Sequence, residues 1–243
     1  MLLTNFLSKI KIKDYGYPLT RFGEKNDGGY LLPEHILNNL KYILSAGVGD
    51  TIQFEKDLKN KFNIKPFFID DTVDLDKNMY HFTRKRINSF NDDFNITLNT
   101  WIENIKKQNN INFSQSILSI DIEGFEIEGL LSLQDKNLSQ FAIIVCEFHN
   151  FSQIKNISGL KLYKVIFDKI LTHFEVCHIH PNNVSPCIRI KNISIPPIME
   201  FTFLNKRYCS KKNTVNNRKY PLKEDAKSVL RKRDINLPKI LIS

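Results

Sequence analysis

Apolar positions in this chain keep two rhythms. Short, mostly apolar runs at 42–46, 66–69, 116–120 and 141–146 have the length of strands covered on both faces. Elsewhere the apolar residues recur at three- and four-residue spacing, as on one face of a helix. Leu3, Phe6, Leu7 and Ile10 predict a short helix over 2–13, and Ile52, Phe54, Leu58 and Phe62 predict one over 51–62. A further helix opens at 97–102 with Thr97 or Asn99 as its N-cap, and another spans 159–172 on Leu160, Leu162, Val165, Ile166 and Ile170. Strand and helix in alternation predict an α/β domain with a largely parallel sheet. Near the end, 174–180 and 198–204 alternate with period two across a Pro- and Asn-rich connection, which predicts an antiparallel pair at one sheet edge.

The rest of the chain is less regular. Residues 20–30 read either as a hairpin turning on Asp27-Gly28 or as a lid in which Arg21 or Asp27 faces a charged ligand. Residues 71–93 show no period beyond Tyr80, Phe82 and Ile87 and predict a loop with short elements. A polar stretch at 209–220 predicts a mobile linker, and 222–237 a basic helix. The organisation expected is a helix and loop cap over 1–40, one α/β domain over 41–205, and a basic tail over 206–243.

Charge changes this picture in one place. Of the net +9, the excess lies between 206 and 239, where about a dozen Lys and Arg face only Glu224, Asp225 and Asp234. That tail is either a solvated face or an attractor of a phosphorylated substrate, a membrane surface or nucleic acid. No RNA-binding aromatic motif accompanies it, so nucleic acid is not the expected partner. Neither a signal peptide nor a membrane span is read from the chain, and Cys146, Cys177, Cys187 and Cys209 lack Cys-x-x-Cys spacing. Reduced thiols in a cytoplasmic protein are the expectation.

Three strand ends carry candidate chemistry. The run at 42–46 ends in Gly47-Val48-Gly49-Asp50, where glycines let a ligand approach the backbone, and the next strand delivers Asp70, placed to grip a ribose diol. The full Gly-x-Gly-x-x-Gly fingerprint is absent. The run at 116–120 enters Asp121-Ile122-Glu123-Gly124-Phe125-Glu126, whose acids suit either a cation or ligand, or a solvated loop with Glu123 and Glu126 at a helix start. The run at 141–146 ends in Glu147-Phe148-His149, with Glu147 and His149 on one side by period two. His178 and His180 share a strand face, where one lines the pocket or both are solvated.

The order of strand, Gly-x-Gly, helix, strand and Asp resembles class I S-adenosylmethionine-dependent methyltransferases. Residues 118–126, Leu-Ser-Ile-Asp-Ile-Glu-Gly-Phe-Glu, resemble the Leu-Lys-Ile-Asp-(Ile/Val)-Glu-Gly-x-Glu run of the FkbM-like family. Thr97-Leu98-Asn99 is similar to its Thr-Leu-Asp, and Asp27-Gly28-Gly29-Tyr30 to a segment ahead of its first strand. The likeness spans about 20–205, with Ser119 where the family often has Lys and Asn99 where it often has Asp.

The resemblance implies a Rossmann-like fold with a seven-stranded, mostly parallel sheet, an antiparallel terminal hairpin and helices on both faces. It implies methyl transfer to a hydroxyl oxygen of a sugar, expected in a nucleotide-linked sugar for surface (capsular) polysaccharide. Gly47, Gly49, Asp50, Asp70 and Asp121 would bind S-adenosylmethionine; Arg21, Asp27, Tyr30, Glu123 and His180 would contact the acceptor. Asp121, Glu147 and His149 would either include a general base, His149, or hold Mg or Mn as a metal set. A phosphate-bearing sugar is the expected partner, with a second copy of the chain left open. Two other readings stand beside this one: a nicotinamide-dependent oxidoreductase and a non-catalytic module docking through its tail.

Overall fold

The structure, a computed structural model, describes residues 2–49, 51–209, 216 and 218–242. Helix α1 (Leu2–Lys9) is followed by a hairpin of β1 (Leu19–Gly23) and β2 (Gly29–Pro33), then α2 (Glu34–Leu37). The body begins with β3 (Tyr42–Ala46), α3 (Gln53–Phe62) and β4 (Lys65–Ile69). Three short strands follow, β5 (His81–Thr83), β6 (Arg86–Ile87) and β7 (Asn95–Ile96), then α4 (Leu98–Asn109), β8 (Ser116–Ile120), α5 (Glu126–Ser132) and α6 (Asp135–Leu138). The chain continues through β9 (Ile143–Phe148), α7 (Ile157–His173) and β10 (Phe174–Pro181), a small hairpin of β11 (Ile188–Ile190) and β12 (Ile193–Ile195), and β13 (Met199–Asn205).

Seven strands form one sheet in the order β10-β13-β9-β8-β3-β4-β5, parallel from β9 to β5 and antiparallel at β13 and β10. This is the Rossmann-like architecture expected. From β3 the chain moves outward through β4 and β5, then returns to place β8 on the other side of β3. The reversal leaves a crevice between the C-terminal ends of β3 and β8, where open α/β sheets bind ligands.

Alternation along the strands builds two core layers. Leu44, Phe67, Leu118 and Ile144 pack with Trp101, Phe167 and Leu130 on one face, while Ile43, Ile117, Ile143 and Val145 pack with Phe54, Leu58 and the β1–β2 hairpin on the other. The Thr97 hydroxyl caps α4 by accepting from the Thr100 amide at 3.1 Å. Asn99 lies instead between helices, its Oδ1 accepting from the Gln134 amide and the Asn137 side chain.

Several local readings are corrected. The β1–β2 pair closes at Gly23 opposite Gly29, so its loop is 24–28 rather than an Asp-Gly two-residue turn. Arg21 stiffens that loop by donating to the carbonyls of Glu24 and Asn26. No helix forms over 222–237. That segment is a strap: Tyr220, Leu237 and Leu241 are buried in the core, Arg218 pairs with Asp14 at 3.0 Å, and Leu241 accepts from the Ile12 amide. Bonds to the body replace the local bonds a helix would make. Most of the polar stretch read as a linker, 210–215 and 217, lies outside the described residues. No helix among the described residues is long and apolar enough to cross a membrane.

Candidate active site

The crevice opens as a cavity of about 770 Å³ whose wall includes Tyr30, Gly47, Gly49, Asp70, Ser119, Asp121 and Glu123. The glycines differ in what they do. Gly47 takes φ +82°, and a Cβ there would stand 1.6 Å from the Asp121 carbonyl oxygen, so both conformation and space at the end of β3 call for glycine. Gly49 takes φ +57°, and a Cβ placed there would meet nothing within 4 Å, which leaves open space above the turn. Asp50 lies outside the described residues.

Asp70 ends β4 and ties the glycine turn in place. Its Oδ2 accepts from the Val48 amide at 2.7 Å, and its Oδ1 accepts from the Thr72 amide at 2.6 Å, the Thr72 hydroxyl at 2.7 Å and the Val73 amide at 3.3 Å. Burial opposes the charge on this carboxylate, but these bonds outweigh it and hold its pKa below the usual range. Among the described residues Oδ2 accepts that one bond, and Asp70 lines the cavity.

On the β8 side, the second glutamate of the acidic run is the hub. Glu126 is buried at the start of α5, and its Oε1 accepts from the Gly124 amide at 2.9 Å, the Ile122 amide at 3.3 Å and His149 Nδ1 at 3.0 Å. That contact orients the ring, holding Nδ1 on Glu126 and turning Nε2 toward Glu123 Oε2 at 3.2 Å and Asp121 Oδ1 at 3.7 Å. Burial would lower the imidazole pKa, yet the Glu126 bond and the charges of Asp121, Glu126 and Glu123 raise it to about 9. Burial raises the Asp121 carboxyl, opposed by His149 and by Tyr30, whose hydroxyl donates to Oδ2 at 2.9 Å. Tyr30 is itself held well above its ordinary value by burial and by the facing carboxylates.

One atom each from Asp121, Glu123 and His149 lies within 4.8 Å of the others, a spacing a single cation can bridge. The set differs from the one expected. Glu147 stays on β9, buried and held by the Asn182 side-chain amide at 2.8 Å, and burial with the nearby Asp121 and Glu200 charges pushes its pKa well up. Glu123 stands in the cluster instead, its Oε2 3.2 Å from His149 Nε2, with a backbone φ of +52° and a side chain 86% exposed. His149 lies one residue past the end of β9, where period two no longer applies.

The remaining expected residues divide. Asp27 and Tyr30 line the cavity, whereas Arg21 spends its guanidinium on loop carbonyls. His180 is far from solvent at 1% exposure, with ring nitrogens 3.5 Å from Glu200 and 3.8 Å from Asp234, beneath the strap rather than in the cavity wall. His178, also buried, pairs with Asp225 at 2.8 Å.

Sequence reasoning passed over Glu126 as a site residue, although its place in the Asp-x-Glu-Gly-x-Glu run was the available signal. It also passed over Glu55, which accepts from the Ser45 hydroxyl at 2.6 Å and lines the cavity; a carboxylate among Phe54 and Leu58 on the apolar face of α3 was the clue. Burial raises the Glu55 pKa.

As a whole the cavity is acidic. Glu24, Asp27, Glu55, Asp70, Asp71, Asp121 and Glu123 line it against Lys85 and Arg86, and Arg86 is paired to Asp71 at 2.7 Å. Such a site takes cations: a sulfonium, an ammonium or a divalent metal.

Residues 24–179 match the family model described as Methyltransferase FkbM domain. No curated protein matches the chain.

Proposed function

Because the chain belongs to the FkbM methyltransferase family, we propose that it methylates a hydroxyl oxygen of a sugar-type acceptor, with S-adenosylmethionine as donor and a divalent cation at Asp121, Glu123 and His149. The observation that carries the reading is the convergence of those three donors beside the Gly47–Gly49 turn at the sheet's reversal point. Family membership also displaces the nicotinamide alternative.

The donor fits the residues present. Its sulfonium and ammonium suit a wall rich in carboxylates, the space over Gly49 admits a close chain, and the Asp70 carboxylate in the same wall suits a ribose hydroxyl. When bound, S-adenosylmethionine supplies an already activated methyl group. The protein's task is then alignment and removal of one proton. Asp121, anchored by Tyr30, and His149, anchored by Glu126, would fix the acceptor hydroxyl, and the buried β1–β2 hairpin would exclude water from one side.

Two carboxylate oxygens and an imidazole nitrogen suit Mg or Mn, which would lower the pKa of an acceptor hydroxyl. An acceptor bearing phosphate, such as a nucleotide-linked sugar for a surface polysaccharide, would keep that group at the Lys85 and Arg86 end, away from the acids of the floor. The test is transfer of labelled methyl to a panel of nucleotide sugars and free sugars, with Mg or Mn and with chelator. Turnover that chelator abolishes and metal restores is expected. Labelling of no sugar in the panel removes the acceptor claim, and turnover indifferent to chelator removes the metal.

A further inference from the structure

A second cavity, of about 590 Å³, opens at the other end of the parallel strands, where β3, β4 and β5 begin. Its wall includes Lys41, Lys59, Lys65 and His81 with the rings of Tyr42 and Tyr80, and holds no carboxylate among the described residues. Among those residues, none of these three lysines has a carboxylate partner within 4.0 Å, whereas the nearby Lys61 is paired with Glu34 at 2.5 Å.

Two of these cations lie over aromatic rings instead. Lys59 Nζ stands 5.8 Å from the Tyr80 ring centre and Lys65 Nζ 5.4 Å from that of Phe67, against which His81 also packs at 4.8 Å. Burial and the neighbouring Lys65 both lower the His81 pKa, as a positive field should. The backbone under the lysines is fixed, with the Lys65 amide donating to the Lys41 carbonyl at 2.8 Å and the Lys41 amide to the Gln115 carbonyl at 2.8 Å. The C-terminal end of α3 meets this cavity at Asn63, where the lysines stand against the partial negative charge of the last turn.

Three lysines with no carboxylate partner among the described residues line one cavity with two tyrosines, a lining that suits an anion carrying a flat ring. We propose that this cavity binds a nucleoside phosphate, its phosphates on Lys41, Lys59 and Lys65 and its base against Tyr42 or Tyr80, at a place separate from the methyl-transfer cavity. The volume lies within the range of small-ligand pockets. The five-residue strands β3 and β4 separate it from the glycine turn by about 16 Å at roughly 3.3 Å per residue, so one mononucleotide does not span both cavities.

The test is calorimetric titration of the full chain with uridine diphosphate, inorganic pyrophosphate and uridine. Uridine diphosphate is expected to bind, pyrophosphate more weakly and uridine more weakly still. The double variant Lys41→Gln/Lys65→Gln, which changes only exposed side chains and should keep the wild-type Tm, is expected to weaken uridine diphosphate at least tenfold. Tyr80→Ala, which removes a ring and the support under Lys59 together, should weaken uridine diphosphate by a larger factor than pyrophosphate. Affinity unaffected by the double variant, uridine binding as well as its diphosphate, or a single-stranded oligonucleotide displacing uridine diphosphate at lower concentration would each overturn the assignment.

Discussion

A glycine and a glutamate do more at the candidate site than their side-chain chemistry suggests. Since a methyl group at residue 47 would meet the Asp121 carbonyl at 1.6 Å, Gly47→Ala is expected to destabilise the fold by more than about 3 kcal/mol, through clash added to backbone strain. Gly49→Ala meets no atom and bears only its positive φ, a cost of about 1 to 2 kcal/mol, so its main effect should be weaker binding of S-adenosylhomocysteine. Urea unfolding and calorimetry separate the two. Glu126→Gln replaces one acceptor oxygen of a buried carboxylate by a donor among groups that already donate, for about 1 to 3 kcal/mol of stability. With His149 no longer fixed, methyl transfer by that variant should need more divalent cation for half-maximal rate. That the glycines and acids would line one hollow was legible because their spacing follows strand ends. That Glu123 rather than Glu147 stands beside Asp121 and His149 was not, because a positive φ at 123 and the end of β9 at Phe148 are local geometry that no period announces.

Among the elements, the strap over 218–242 is where reading and structure part most. Its many cations direct attention to charge, while its attachment depends on residues far away in sequence: Asp14, His178, Asn183 and the core around Leu241. The strands β5, β6 and β7 escaped for a simpler reason, since two or three residues cannot display an alternation. The strap should loosen at both ends of the pH range. Burial opposes ionisation of Asp225, but His178 and then His180 hold its pKa below the ordinary value. Its contribution is present above the unfolded-state value of ~3.9 and is lost as pH falls through the lowered folded value. Burial would lower the pKa of His180, but Glu200 and Asp234 raise it to about 10. That contribution is complete below ~6.5 and is lost as pH rises toward about 10. Hydrogen exchange of strap amides, measured relative to the β3 and β8 amides, should therefore show greatest protection between these limits. Constant relative protection across the range would contradict the clamp.

On the scale of the molecule, a net charge of +9 coexists with a cavity between β3 and β8 that is lined mainly by acids. Composition reports the sum; only the fold reveals the division. A cavity lined mainly by acids should prefer the sulfonium of the donor to the thioether of S-adenosylhomocysteine, and the preference should shrink between about 0.01 and 0.15 M salt as the screening length falls from ~30 to ~8 Å. Binding of both compounds at a fixed cation concentration checks this, and an affinity ratio that does not change with salt would argue against it.

The contact of residue 47 with the carbonyl of residue 121 also has a mechanical meaning. With only a hydrogen atom between them, the loop that would seat the methyl donor and the loop that would seat its recipient are keyed together like two teeth of a gear. Neither can slide along its strand without dragging the other, so an insertion or deletion on one side should misalign both.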